Sequence, residues 1–441
     1  MKNKFIAILL VILALTSIAQ ARAVEVKEVK SQSGISAWLI EDHANPVISV
    51  RFMFKGGAAL DPMGKEGLAN MVSALLDEGA GNLDSQSFQG LLEDNAITLR
   101  FDAGKDSFSG TLKTLSPNLN IATELLSMAL NKPRFDAEPI ERIRSQILAS
   151  IRHDMSEPGT KAFDALFEKV FSGHGYGRRS DGTAESIGRI KRQDLIDFHK
   201  NMLAKNNLII GVAGDTSPQQ LKKFLDDAFG QIKTSANMNK APEVKANTTG
   251  DMKVIEMDVP QSVIVFAGAG VKRDDPDYYS ALVMNHILGG GSFTSRLYDE
   301  VREKRGLAYS ISSNIYSFDH GALIVGNAGT ENSRVGETIK IIKDEWAKMA
   351  LNGASESEVA NAKTYISGAF PLRFTSSDAI AGILVGMQVN DLGLDYLDKR
   401  KSYIDAVSVA DVNNVAKRLL RPQLLDVFIV GKPGDLSALR Q

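Results

Sequence analysis

Apolar and polar residues alternate from Pro46 to Phe54, the period-two pattern of a strand with one buried face, and Gly56-Gly57 closes the run. Leu68, Met71, Val72, Leu75 and Leu76 then recur at three- and four-residue spacing, which predicts a helix with a single apolar stripe. Alternation returns from Ile97 to Leu115, and helical spacing from Ile121 to Leu130 and from Ile140 to Ile151. A second series follows the same order. Ser262 to Gly268 reads as a strand, Tyr278 to Leu288 and Ser295 to Arg305 as helices, and Leu307 to Ile315 as alternating strand. Hairpin-like strands with helices packed on one face predict an α+β sandwich in each half, not a parallel doubly wound sheet.

The repetition extends to the residues themselves. Ile187 to Leu203 resembles Ile404 to Leu420, 217 positions later. Asn207-Leu-Ile-Ile-Gly-Val-Ala-Gly214 resembles Leu424-Leu-Asp-Val-Phe-Ile-Val-Gly431 at the same offset. Met128-Ala-Leu-Asn131 recurs letter for letter as Met349-Ala-Leu-Asn352, 221 positions on. Three matches in one order at nearly one offset imply a duplicated domain. Thr234 to Asp251 loses apolar periodicity to Ser, Asn, Lys, Thr, Pro and Gly, as a linker does. The expected organisation is a leader over 1–23, a first domain over 24–233, a linker over 234–251 and a second domain over 252–441.

Composition narrows the chemistry. The chain has 441 residues, 44% of them apolar and 24% charged, which excludes a disordered, collagen-like or coiled-coil protein. It has no cysteine, so disulfides, thiolate zinc sites and cysteine nucleophiles are excluded, and any metal needs His and carboxylate ligands. Lys2 and Lys4 precede an apolar run from Phe5 to Leu15 that ends in small residues and Ala21-Arg22-Ala23, the pattern of a secretory signal cleaved after Ala21 or Ala23. The run is shorter than the roughly 20 residues that span a bilayer, and no later stretch is long and apolar enough to span one. The expectation is a secreted protein of the bacterial periplasm with no membrane span after cleavage. A net charge of −2 without basic runs argues against nucleic acid as a partner.

Of the six histidines, none lies in HExxH, HxxEH or any i, i+4 pair that would hold a metal on one helical face. There is no GxSxG, and Gly289-Gly-Gly291 lacks the remainder of a phosphate-binding or dinucleotide motif, so it reads as a turn. The informative segment is Ser295 to Ser310. Leu297 and Val301 form a core stripe, Gly306 suits a helix stop, and Leu307, Tyr309 and Ile311 are expected on one strand face. Arg302 in the last helical turn and Tyr309 on the strand can hydrogen-bond an extended peptide carbonyl and stabilise its oxyanion.

This segment resembles the C-terminal-half signature of the pitrilysin/insulinase family of zinc metallopeptidases, SRL followed by RExxGLaY. The resemblance implies two similar domains, each an antiparallel sheet packed with helices in a clam-shell, with Arg302 and Tyr309 binding substrate near the scissile bond. It also implies HxxEH on the helix after the first strand, and a distal glutamate. Here Gly67-Leu-Ala is followed by Asn70-Met-Val-Ser73-Ala74, so Asn70, Ser73 and Ala74 stand where the first His, the catalytic Glu and the second His would be. The distal VLEEIR pattern reads Ile147-Leu-Ala149-Ser150-Ile-Arg152, with Ala149 and Ser150 for both acids. On the expected helix, Asn70, Ser73 and Ala74 lie opposite the apolar stripe. An amide, a hydroxyl and a methyl hold no zinc and activate no water, and His153 alone does not rebuild the site. The resemblance therefore implies a chain without its own metal, inactive alone, that pairs with an HxxEH-bearing homologous subunit carrying the zinc and contributes Arg302 and Tyr309 to peptide cleavage by the heterodimer. A non-enzymatic scaffold or peptide-binding protein of the same fold is the alternative. A peptidase with an unrecognised metal site is a third reading.

Overall fold

The computed structural model describes residues 25–434 and 436; the expected leader over 1–23 lies outside them. The first half supplies β1 (Lys27–Lys30), β2 (Ser36–Glu41), β3 (Val47–Lys55), β4 (Thr98–Ala103), β5 (Ser107–Leu115) and β6 (Leu208–Gly214). They form one sheet in the order β1-β2-β6-β3-β5-β4. The second half supplies β7 (Met252–Glu256), β8 (Gln261–Ala269), β9 (Ala308–Ser317), β10 (Ala322–Glu331) and β11 (Asp426–Gly431), ordered β7-β11-β8-β10-β9. With β1 set aside, the two orders are the same. Duplication is visible in the helices too: Arg192–Met202 and Val409–Leu419 have 11 residues each, and Pro158–Val170 and Ser377–Val389 have 13 each.

The expected antiparallel sheets are antiparallel except for one pair in each. β2 runs parallel to β6, and β7 to β11. Both pairs join the start of a half to its end through a long helical excursion, and such a connection leaves strand direction free where a hairpin would fix it.

The periodic segments become the elements they predict, with shifted ends. Alternation over 97–115 divides into β4 and β5 at a turn where Gly104 N–H bonds the Ser107 carbonyl at 2.8 Å. The patterns around 121–130 and 140–151 become helices Leu119–Asn131 and Ala137–Asp154. The helix expected over 68–76 stops at Ser73. Tyr278–Asn285 and Arg296–Tyr298 each run into a wider turn, with i to i+5 bonds from Gly291 N–H to the His286 carbonyl (2.8 Å) and from Lys304 N–H to the Asp299 carbonyl (2.9 Å). Among the described residues no helix is long and apolar enough to cross a membrane.

The two halves exchange helices. Pro158–Val170, from the first half, packs on β8 and β11, and Ser377–Val389, from the second, packs on β3 and β6. Ala162, Leu166 and Val170 share a core with Val265, Ala267 and Phe428, and Ala381 and Leu384 share one with Ile40 and Ala213. Gly211 permits the second contact, because a Cβ there would stand 2.4 Å from the Ala381 carbonyl oxygen. Polar anchors fix each exchanged helix. Arg51 makes two bonds to Asp378 (2.8 and 2.6 Å). Lys169 donates to Asp426 at 2.6 Å, and the other carboxylate oxygen of this fully buried aspartate accepts N–H groups of Thr249 (3.0 Å), Gly250 (2.7 Å) and Asp251 (2.8 Å). Residues 236–251 contain no helix or strand, and this carboxylate secures their end.

Removing Asp426 leaves three N–H groups without their acceptor and Lys169 with only Asp251, at 3.2 Å, as a carboxylate partner. Asp426→Ala is expected to lower stability in urea denaturation by about 3–5 kcal/mol. Arg51→Ala, at a pair open to water, is expected to cost about 1 kcal/mol or less.

Candidate functional site

The short helix Leu68–Ser73 is where the zinc motif would lie. Gly67 opens it at φ +91°, and a Cβ there would come within 2.6 Å of the Asp181 carbonyl and the Ile187 side chain, so glycine is required. The Asp61 carboxylate holds the helix start, accepting the N–H groups of Gly67 (2.9 Å) and Ala69 (3.1 Å), while Arg178 donates to the Asp61 carbonyl at 2.7 Å. Burial pushes the Asp61 carboxyl up to about 7 in spite of these bonds.

Leu68, Met71, Val72, Leu75 and Leu76 are buried as their spacing predicts, and the face opposite them is itself partly covered. Ser73 is buried and its hydroxyl donates to the Asn70 carbonyl at 2.8 Å. Ala74 lies just past the helix end, half-buried against the first core, and Asn70 is likewise half-buried. The cause is length: a helix of six residues has no long free face, and its neighbours close over the last turn. Ala149 and Ser150 are exposed on Ala137–Asp154, whose buried stripe is Ile140, Ile143, Ile147 and Ile151, and His153 is exposed on the same helix. Among the described residues no three His, Asp or Glu side chains gather as a metal site. The residues at the family's ligand positions do not fit zinc.

The second candidate set is brought together. Ser295 is buried, with its hydroxyl donating to the Ser292 carbonyl at 2.9 Å, and Arg296 is clamped by Glu358 (2.7 and 2.8 Å) and the Gly353 carbonyl (2.9 Å). Gly306, at φ +58°, ends the segment with its N–H on the Arg302 carbonyl (2.9 Å). Arg302 then lies between two rings, 4.9 Å from the centroids of both Tyr298 and Tyr309, and donates to the Tyr298 hydroxyl. Among the described residues it has no carboxylate within 4 Å, so its remaining donors are available to a ligand.

Tyr309 does not share a face with Leu307 and Ile311. Both of those are buried, whereas Tyr309 is 81% exposed. The β9–β10 register steps from Ile311 opposite Ala328 to Ala308 opposite Thr330, three residues against two. This bulge inserts one residue into the alternation and turns the Tyr309 ring outward over Arg302. Two neighbours escaped the sequence reading. Tyr298 forms the other wall of the guanidinium slot, and Phe293, 73% exposed, meets Tyr298 edge-on at 5.0 Å. A large apolar residue two positions after a glycine run was the available signal for Phe293. The outer edge of β9 has no strand partner among the described residues.

Residues 37–183 match the family Insulinase (Peptidase family M16), and residues 189–366 match Peptidase M16 inactive domain. The chain belongs to the insulinase family, peptidase family M16. Within that family it is similar to the non-peptidase homolog YmxG of Helicobacter pylori, with 28% identity over 402 residues that cover 90% of this chain and 92% of that protein. It is also similar to the crystal structure of a peptidase M16 inactive domain from Pseudomonas fluorescens, at 27% identity and a TM-score of 0.84, covering 93% of this chain and 98% of that one. A protease structure from Helicobacter pylori shares the fold at 19% identity and a TM-score of 0.83, with 92% and 99% covered. The helix Leu68–Ser73, on which the resemblance puts the zinc motif, lies within the residues that match the Insulinase model.

Because its folded carboxyl takes up a proton near pH 7 and its unfolded one near 3.8, Asp61 favours the folded state most below about pH 4, and this contribution is lost as pH rises through 7. Wild-type stability relative to Asp61→Asn is therefore expected to fall between pH 5 and pH 8. Urea denaturation of both proteins at the two pH values measures it.

Proposed function

We propose that this insulinase-family chain is the substrate-binding, non-catalytic subunit of a periplasmic heterodimeric peptidase. An HxxEH-bearing homologous subunit supplies the zinc and the general base. This chain supplies Arg302 and Tyr309, and the carrying observation is their arrangement: a guanidinium oriented by two rings, free of any carboxylate, beside an exposed tyrosine at the start of an unpaired strand edge.

The chemistry follows from these groups. An extended peptide adds to the free edge of β9 through main-chain hydrogen bonds. The Arg302 N–H groups and the Tyr309 hydroxyl donate to a peptide carbonyl, and their bonds strengthen as negative charge develops on its oxygen. Because Tyr298 and Tyr309 already hold the guanidinium, little rotamer freedom is lost on binding. The leader pattern of residues 1–23 supports an envelope location.

A second reading, a peptide-binding scaffold that cuts nothing, draws support from the vacated zinc positions and from the non-peptidase name of the Helicobacter relative. The two readings separate in one experiment. The chain is purified from its native envelope with whatever accompanies it, and peptide cleavage is assayed. Arg302→Ala is expected to lower turnover by the complex about a hundredfold and Tyr309→Phe about tenfold, with assembly unchanged on size exclusion. Unchanged turnover in both variants would refute the subunit reading. A complex that binds peptides and never cleaves them establishes the scaffold.

A further inference from the structure

The second half contains a cleft that neither the zinc positions nor Arg302 uses. It has a volume of about 300 Å³ and lies between the wide turn at His286, the helix Glu356–Ala369 with its following turn, the helix Tyr396–Asp405, and β9 at Asn314 and Ile315.

Its charge is one-sided. Arg373 and Arg400 both line it, and among the described residues neither has a carboxylate within 4 Å. Arg400 is half-buried, lies 4.1 Å over the Phe370 ring and has one carbonyl acceptor, Ile366, at a long 3.3 Å. Behind the cleft, Arg273 adds a third guanidinium, stacked 4.1 Å from the Tyr278 ring and donating to the Tyr279 hydroxyl at 2.9 Å. Burial and the charge of Arg373 pull the pKa of Arg400 down, which reflects the cost of this crowding. Four partly buried guanidiniums elsewhere in the chain have acids: Arg51 has Asp378, Arg178 has Glu66, Arg179 has Asp164 and Arg296 has Glu358. A desolvated guanidinium without a counter-ion is unfavourable, and a planar anion in the cleft would offset that cost through paired bonds.

We infer that this cleft binds a carboxylate of the peptide that lies along β9, either an acidic side chain or the free C-terminus. The inference rests on the reading of β9 as the peptide-binding edge. Asn314 and Ile315 are five and six residues along β9 from Tyr309, about 17–20 Å at about 3.3 Å per residue. The carboxylate therefore belongs about five or six residues from the carbonyl that Arg302 and Tyr309 hold. His286, whose ring meets Tyr365 at 5.0 Å, walls the cleft as a group that burial keeps uncharged at neutral pH.

The test uses the purified mature chain with any subunit that copurifies, and four fluorescein-labelled nonapeptides of one extended sequence. They carry Glu or Gln near the far end, each with a free or an amidated C-terminus. Fluorescence anisotropy is expected to show at least one carboxylate-bearing peptide binding about tenfold more tightly than the Gln amide. Comparing Glu with Gln, and free with amidated ends, tells which carboxylate is recognised. The double substitution Arg373→Gln with Arg400→Gln should abolish the preference and leave affinity for the Gln amide unchanged. Should the double variant fail to fold, Arg373→Gln alone, at an exposed turn, is expected to narrow the preference. Equal binding of all four peptides, or a preference that survives the substitutions, overturns this inference and leaves the peptide-edge reading standing. Failure of all four to bind the wild type overturns both.

Discussion

A sheet of five or six strands has two faces to cover, and in this chain the helices of each half cover only one of its own. The other is covered by a helix from the opposite half, Pro158–Val170 on the second sheet and Ser377–Val389 on the first. Each half is therefore completed only by its neighbour, and the orientation of everything attached to the two sheets follows from that exchange. Asp426 concentrates the constraint in one carboxylate, joining the exchanged helix through Lys169, the end of the irregular segment 236–251 through three N–H groups, and β11 through its own backbone.

A frame fixed in this way holds the helix on which the family pattern puts its metal ligands without help from any of those positions. The start of Leu68–Ser73 depends on Asp61, Gly67 and the apolar stripe, none of which is a zinc ligand in the family pattern. At the positions of the family's ligands, Ser73 turns its hydroxyl onto the backbone and Ala74 adds a methyl to the core edge. In the second half the rings of Tyr309 and Phe293 are largely in solvent and add little to the core.

Much of the fold was legible in the sequence because periodicity reports which face of an element is buried. β3 and the helices Leu119–Asn131 and Ala137–Asp154 emerge close to their predicted spans. Periodicity does not name the covering partner, so the exchange of helices was invisible, although the unbroken apolar runs of β8 and β11 already indicated strands buried on both faces. The Arg302 and Tyr309 pair was found through motif residues, yet its geometry was misread. Strict alternation placed Tyr309 with Leu307 and Ile311, and only the β9–β10 register reveals the inserted residue that turns it outward. The guanidinium cleft of Arg373 and Arg400 had no sequence signature, because its residues come from separate helices and are joined only by packing.

The exchanged helices also impose an order on synthesis. A chain made from its N-terminus completes β6 at Gly214, yet the outer face of the first sheet lacks its cover until Val389 has been added, 175 residues later. Over that interval Pro158–Val170 gains β8 at Ala269 but still lacks β11, the last strand of all. The first half thus waits with one face bare until Val389, and the second sheet gains its last strand only at Gly431.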